Sequence, residues 1–231
     1  MSTLEPPAPA KFDDCASTYD ALHAESITAS GESTDYFARY KLACLQRLGL
    51  RSQGAVLDYG CGIGNLTEHL VTSFSDVHAF DPSQKSLEVA RRRAPTATFH
   101  ESANDLPNAR FEAVVVAGVL HHVPPRERPG LVAQLRQKLA PGGKLVVFEH
   151  NPLNPLTRRA VSACAFDDDA ILLWPWEAKR LVASGGFVDT RLDYIVFFPR
   201  ALAALRPLEP KLAWMWLGAQ VMVVGARGDK G

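Results

Sequence analysis

Three stretches of the chain hold residue types that could bind a charged small molecule and move a proton. The first is Asp58-Tyr59-Gly60-Cys61-Gly62-Ile63-Gly64, an acid and a glycine turn directly after the apolar run Ala55-Val56-Leu57. Glycines let backbone and ligand approach closely, and a strand-to-helix turn of this kind is where a nucleotide-like ligand sits in an open α/β sheet. The dinucleotide pattern GxGxxG fails in both registers, because Asn65 and Thr67 stand where its third glycine is needed. The Asp58 carboxylate also repels a pyrophosphate and suits a ligand carrying ammonium and sulfonium charge. The second feature is Asp81, 21 residues past Gly60 at the end of the next apolar run. An acid there either accepts from ribose hydroxyls or caps the helix that Pro82 opens.

The third stretch is His121-His122, just past the apolar run 111–117. A neutral imidazole with an ordinary pKa of ~6.5 can take the proton of a hydroxyl substrate, and it can equally serve to order a loop. Glu149-His150 ends a further apolar run and either faces the same cleft or caps the strand end. Asp167-Asp168-Asp169 has no second cluster at ligand spacing, so it reads as a helix cap and solvated face, and no metal is expected. Arg91-Arg92-Arg93 suits the negative end of a helix.

These residues need a scaffold, and the pattern supplies one. Apolar runs at 55–59, 76–80, 96–101, 111–117 and 144–149 alternate with helical stretches or loops. Val114-Val115-Val116 and Leu145-Val146-Val147-Phe148 are apolar throughout, as strands covered on both faces are, so the fold class is α/β with a parallel sheet. Ahead of it, Ser33 or Thr34 can cap a helix carrying Phe37, Tyr40, Cys44 and Leu48 on one face, with Gly49 ending it. After Asn151 come a connector to Leu173, a helix over 175–184, an extended run 187–198, a proline-punctuated segment and a last strand over 221–226, which suggests an antiparallel edge.

A length of 231 residues suits one large domain, and 47% hydrophobic against 22% charged residues excludes a disordered or fibrous chain. Residues 1–10, with Pro6, Pro7 and Pro9, read as a disordered tail, and 11–231 as the domain. A formal charge of zero leaves no broad field for nucleic acid. Four cysteines without a CxxC pair and a start lacking a secretory apolar stretch fit a reduced cytoplasm. The greasiest segment, Leu212–Ala226, has 15 residues, short of the roughly 17 to 25 that a spanning helix needs. Trp214 and Trp216, between Lys211 and Arg227, could still touch a membrane surface weakly.

Taken in order, DYGCGIG, Phe80-Asp81-Pro82, Glu101-Ser102-Ala103-Asn104-Asp105-Leu106-Pro107, the His121 loop and Leu139-Ala140-Pro141-Gly142-Gly143-Lys144 resemble the motifs of the class I S-adenosylmethionine-dependent methyltransferases. The likeness covers about residues 55–150. It implies a Rossmann-like, doubly wound sheet of seven strands in the order 3-2-1-4-5-7-6, only the last antiparallel. It implies S-adenosylmethionine as cofactor and S-adenosylhomocysteine as product. By that resemblance Asp58 holds the cofactor's ammonium, while Gly60, Cys61 and Gly62 line its methionine part. Asp81 and Pro82 meet its ribose, and Ser102, Ala103 and Val119 its adenine and neighbourhood, Ser102 standing where the family commonly has aspartate.

Residues 11–50 and 151–218 would then cover the acceptor, and 219–227 form the final strand. Tyr19, Tyr36, His150, Trp174 and Phe197 are the candidate substrate contacts, and His121 or His122 the candidate base. All four tryptophans lie beyond residue 150, so the expected acceptor is a small apolar or aromatic molecule, methylated on oxygen. The rivals are an NAD-type oxidoreductase on the same sheet and a cofactor-binding domain without turnover. The acceptor's identity and the oligomeric state are left open by the sequence.

Overall fold

A computed structural model describes residues 27–164 and 167–228. The seven strands are β1 (Ala55–Tyr59), β2 (Asp76–Phe80), β3 (Thr98–His100), β4 (Phe111–Ala117), β5 (Leu139–His150), β6 (Phe187–Ile195) and β7 (Gln220–Arg227). They form one sheet in the order β3-β2-β1-β4-β5-β7-β6. β7 runs antiparallel to both β5 and β6, while the pairings among β1 to β5 are parallel. Class, order and the single reversed strand are as expected.

The helices are α1 (Thr34–Gln46), α2 (Thr67–Leu70), α3 (Gln84–Arg93), α4 (Arg128–Lys138), α5 (Pro155–Ser162) and α6 (Pro175–Ser184). Successive β4 residues point to opposite faces, and both faces are filled. Val114 and Val116 pack with Leu131, Leu135 and Val182 under α4 and α6, whereas Val115 packs with Leu45, Leu66 and Phe148 under α1 and α2. Strands buried on both sides must be apolar at every position, which is why their runs lack alternation.

Local chemistry sets the helix starts. Ser33 accepts the Tyr36 N–H at 3.3 Å, and Ser83 accepts the Ser86 N–H at 3.1 Å. α3 therefore opens on Ser83 and not on Asp81, which removes the capping alternative for that acid. The connector after Asn151 is more ordered than expected: Asn154 accepts from Leu156 and Thr157, and Pro155 starts α5. One further reading is corrected. β5 begins at Leu139, with its register jumping between Leu139 and Lys144 opposite Phe111 and Ala113, so Pro141-Gly142-Gly143 forms an irregularity inside the strand. A Cβ on Gly143 would meet the Phe111 carbonyl at 2.7 Å, so only glycine lets the two strands close there.

Candidate functional site

At the carboxyl ends of β1, β2, β4 and β5 lies a cavity of about 560 Å³. Crossovers of a parallel sheet leave a crevice there, so residues just past each strand become its wall. All nine residues singled out for the cofactor line it: Asp58, Gly60, Cys61 and Gly62 from β1 and its turn, Asp81 and Pro82 after β2, Ser102 and Ala103 after β3, and Val119 after β4. His121, His122 and His150 line it too.

The β1 side is built largely by the backbone. Gly60 and Cys61 donate to the Phe80 carbonyl at 2.7 and 3.0 Å, which ties the glycine turn to the end of β2. Gly60 has φ +77°, and a Cβ there would meet Val119 at 2.5 Å. Gly62 has φ +53° and nothing within 4 Å of where its Cβ would be, so its α-carbon faces open space that a ligand can enter. The two Asp81 oxygens accept the Gly62 and Ser83 N–H groups at 2.8 and 2.9 Å, fixing the carboxylate at the rim. Asp58 is buried and accepts from the Thr67 hydroxyl at 2.7 Å. Burial pushes its carboxyl up to about 6, although the Thr67 bond works the other way.

The opposite side is a network of side chains. His121 donates from Nδ1 to Glu149 at 2.6 Å, and the other Glu149 oxygen accepts the Leu120 N–H at 2.8 Å. The His121 Nε2 lies 3.4 Å from Asp167, which is also 3.5 Å from the His122 Nε2. Burial alone would lower the His121 pKa, but Glu149 and Asp167 together outweigh it and hold the imidazolium up to about 10. Burial and the neighbouring charged His121 push His122 down, and the same two causes push His150 down to about 4. His121 is thus charged and engaged at both nitrogens, while His122 and His150 are neutral at pH 7.

Asp167 departs from its expected place on a solvated face: it turns inward to two histidines, whereas Asp168 and Asp169 stay exposed. The partners are 46 residues apart along the chain, beyond the reach of spacing arguments. His121, His122 and Asp167 are also the group among the described residues whose donor atoms, all within 4.8 Å, could hold a metal ion. A doubly engaged imidazolium is a poor metal ligand, since coordination requires it to give up a proton.

Lys41 on α1 lines the cavity and escaped the sequence reading. Burial lowers its pKa to about 8, with Cys44, Asp58 and Glu149 opposing. The available signal was its place in α1 beside Ala38, both one turn along from Thr34 and Phe37, which also line the wall.

Three of the proposed substrate contacts lie outside the cavity. Tyr36 packs under the Arg206 guanidinium, 4.2 Å from its ring centre. Trp174 stacks on Trp176 at the surface, with ring centres 5.2 Å apart. Phe197 is held by its N–H to Glu209 at 3.0 Å. Tyr19 lies outside the described residues. The apolar side chains that do line the cavity include Ile27, Phe37, Val123, Leu131 and Phe148, and Cys164 and Asp167 reach it from beyond α5.

Residues 56–143 match a family model described as a methyltransferase domain. An uncharacterized methyltransferase of Bacillus cytotoxicus is 32% identical over 142 residues, which make up 58% of this chain and 63% of that protein. The chain thus spans a little under two thirds of that relative. A solved S-adenosylmethionine-dependent methyltransferase of Thermotoga maritima, described as a possible histamine N-methyltransferase, aligns with a TM-score of 0.69 at 19% identity, over 95% of this chain and 100% of that one. The magnesium protoporphyrin IX methyltransferase of Synechocystis, solved with S-adenosylhomocysteine, aligns with a TM-score of 0.59 at 19% identity, over 88% of this chain and 86% of that one. Residues 56–143 thus carry a methyltransferase-domain sequence, and the fold is the one shared by these solved S-adenosylmethionine-dependent methyltransferases.

Proposed function

We propose that this chain, which carries a methyltransferase domain on the class I fold, transfers the methyl group of S-adenosylmethionine to an oxygen of a small apolar or aromatic acceptor. The observation that carries the reading is that one cavity gathers every motif residue with a stated cofactor role beside neutral imidazoles and an apolar wall. Asp58 and Lys41 present opposite charges to the ammonium and carboxylate of the cofactor's amino-acid end. Asp81, aimed by two backbone N–H groups, accepts from the ribose hydroxyls. The uncovered face of Gly62 admits the ligand, and Ser102 and Ala103 border the adenine.

In the transfer step the acceptor oxygen attacks the methyl carbon in line with the breaking C–S bond. The bond electrons go to sulfur, leaving S-adenosylhomocysteine, and the hydroxyl proton goes to His122, the neutral member of the pair. His121 is a positioning residue: through Glu149 it holds the Leu120 N–H and hence the loop carrying His122. Holding the reacting atoms about 3 to 3.5 Å apart supplies much of the acceleration, so loss of the base costs less than loss of cofactor placement. The fixed carboxylate at Asp58 argues against the pyrophosphate of NAD.

Calorimetry with S-adenosylmethionine, S-adenosylhomocysteine and NAD tests the cofactor. Both sulfur compounds should bind and raise the melting temperature, and NAD should do neither. Tight NAD binding with no response to either sulfur compound would overturn the proposal. Incubation with methyl-labelled cofactor and a fractionated cell extract tests the acceptor, and label in a small organic-soluble ether or ester is the expected product.

A further inference from the structure

The face built by residues 199–217 and the start of α5 is unlike the rest of the surface. Arg200–Leu212 is a succession of 3-10 turns, broken at Leu202 and shaped by Pro207 and Pro210, which lack the N–H an α-helix would use. In 3-10 geometry side chains three apart eclipse, so Leu205, Leu208 and Lys211 share one edge, which Leu202 extends. Leu202, Leu205 and Leu208 are 48%, 40% and 47% exposed, and Trp214, Trp216 and Leu217 continue the face at 76%, 53% and 46%. Leu156, 66% exposed, joins it because the Asn154 amide donates to the Leu217 carbonyl at 2.7 Å. Soluble surfaces seldom leave so many large apolar side chains adjacent and uncovered.

Charge singles out what covers them. The one acid between 199 and 217, Glu209, is turned inward, where it accepts the Tyr40 hydroxyl and the Phe197 and Phe198 N–H groups. Arg206 is turned inward as well, onto Glu32 and the Tyr36 ring. Among the described residues of 199–217 and α5, the exposed charges are Arg200, Lys211, Arg158 and Arg159, all cations. A second copy of the chain meeting this face by two-fold symmetry would set those cations against themselves.

We infer that this face docks on an anionic lipid bilayer, its leucines and tryptophans entering the headgroup boundary and its cations meeting lipid phosphates. No helix of the described residues is long and apolar enough to cross a membrane, so the contact is interfacial. The face adjoins the cavity mouth: Gly31 abuts Arg200, and Ile27 and Thr34 nearby line the cavity. On the methyltransferase reading above, docking brings that mouth to an acceptor that partitions into the bilayer.

The full chain should co-sediment with vesicles of mixed phosphatidylglycerol and phosphatidylcholine, with binding lost in high salt and weak on phosphatidylcholine alone. Leu205→Glu, and separately Trp214→Ala with Trp216→Ala, should weaken partitioning at least tenfold without changing the melting curve or S-adenosylmethionine affinity. Trp174→Ala with Trp176→Ala, on another part of the surface, should leave partitioning unchanged. The inference is overturned if the phosphatidylglycerol vesicles fail to bind at low salt, if the variants bind like the parent, or if Leu205→Glu instead abolishes a dimer. Cofactor affinity measured on the same samples keeps such a failure separate from any failure of the methyltransferase reading.

Discussion

The two walls of the cavity are made in different ways. On the β1 and β2 side, consecutive residues of short motifs are positioned by backbone: a glycine turn tied to Phe80, and a carboxylate fixed by two N–H groups. On the β4 and β5 side, side chains from 121–122, 149–150 and 167 meet in a buried network held by charge. The polar groups of the first wall satisfy one another through short-range backbone hydrogen bonds. The second depends on each partner being present, since a buried charge without its counterpart is costly. Substitutions should therefore damage binding on the first side and stability on the second.

The largest effect is expected at His121, which is 2% exposed beside a Glu149 that is 1% exposed. His121→Ala strands that carboxylate and should cost about 3 to 5 kcal/mol, measured by urea unfolding at pH 7. The pH dependence has a definite sign. The folded pKa of about 10 stands above the unfolded value of about 6.5. The His121 contribution is therefore fully present below about 6.5 and is lost as pH rises towards 10. The parent should lose stability across that window, and the variant should lack that part of the slope. Equal unfolding free energies for the two at pH 7 would sink the charge-network account.

On the backbone-built wall, Asp81→Ala should weaken S-adenosylmethionine binding by about 1.5 to 3 kcal/mol while the protein still folds. Some stability goes too, because the Gly62 and Ser83 N–H groups lose their acceptor. Titration beside thermal melts separates the two, and unchanged cofactor affinity would remove Asp81 from the site.

The contrast also explains what could be read from the sequence. Strand runs, helix starts and the turn residues report local geometry, so β1, β2, β4 and α6 fell where the pattern placed them, and Asp58, Gly62 and Asp81 came with their motifs. Asp167 was missed because its partners are brought by the sheet and not by spacing. Lys41 was missed because a lysine on an amphipathic helix ordinarily points to water, and only packing against Phe148 and the cavity turns it in. Tyr36, Trp174 and Phe197 were drawn in by residue type, which cannot say whether an aromatic ring faces a cavity, a guanidinium or solvent.

Asp58 gives a smaller, pH-dependent test of the first wall. Burial raises its pKa to about 6 before cofactor arrives, and an incoming ammonium needs the carboxylate ionised. Affinity for S-adenosylmethionine should therefore fall as pH drops below 6, by about tenfold at pH 5 relative to pH 7. Asp58→Asn should bind more weakly throughout and lack this dependence. Calorimetry at the two pH values decides it, and a parent affinity that does not change would show that Asp58 does not face the ammonium.

The smallest effect is expected at Trp174, and it sharpens where the acceptor wall ends. The indole stacks on Trp176 at an interplanar angle of 9° and is 40% exposed. The local contact that matters for α6 is made by its backbone, whose N–H donates to Glu177 at 3.0 Å and survives loss of the ring. Trp174→Ala should accordingly change stability by no more than about 0.5 kcal/mol, in line with surface positions generally. It should also leave kcat/KM for the acceptor within about twofold, because the ring does not line the cavity, whose wall includes Val123 and Leu131. A drop of tenfold or more in kcat/KM with the melting temperature unchanged would mean that the acceptor extends past those residues onto the tryptophan pair. The side-chain wall would then be wider than the cavity it borders.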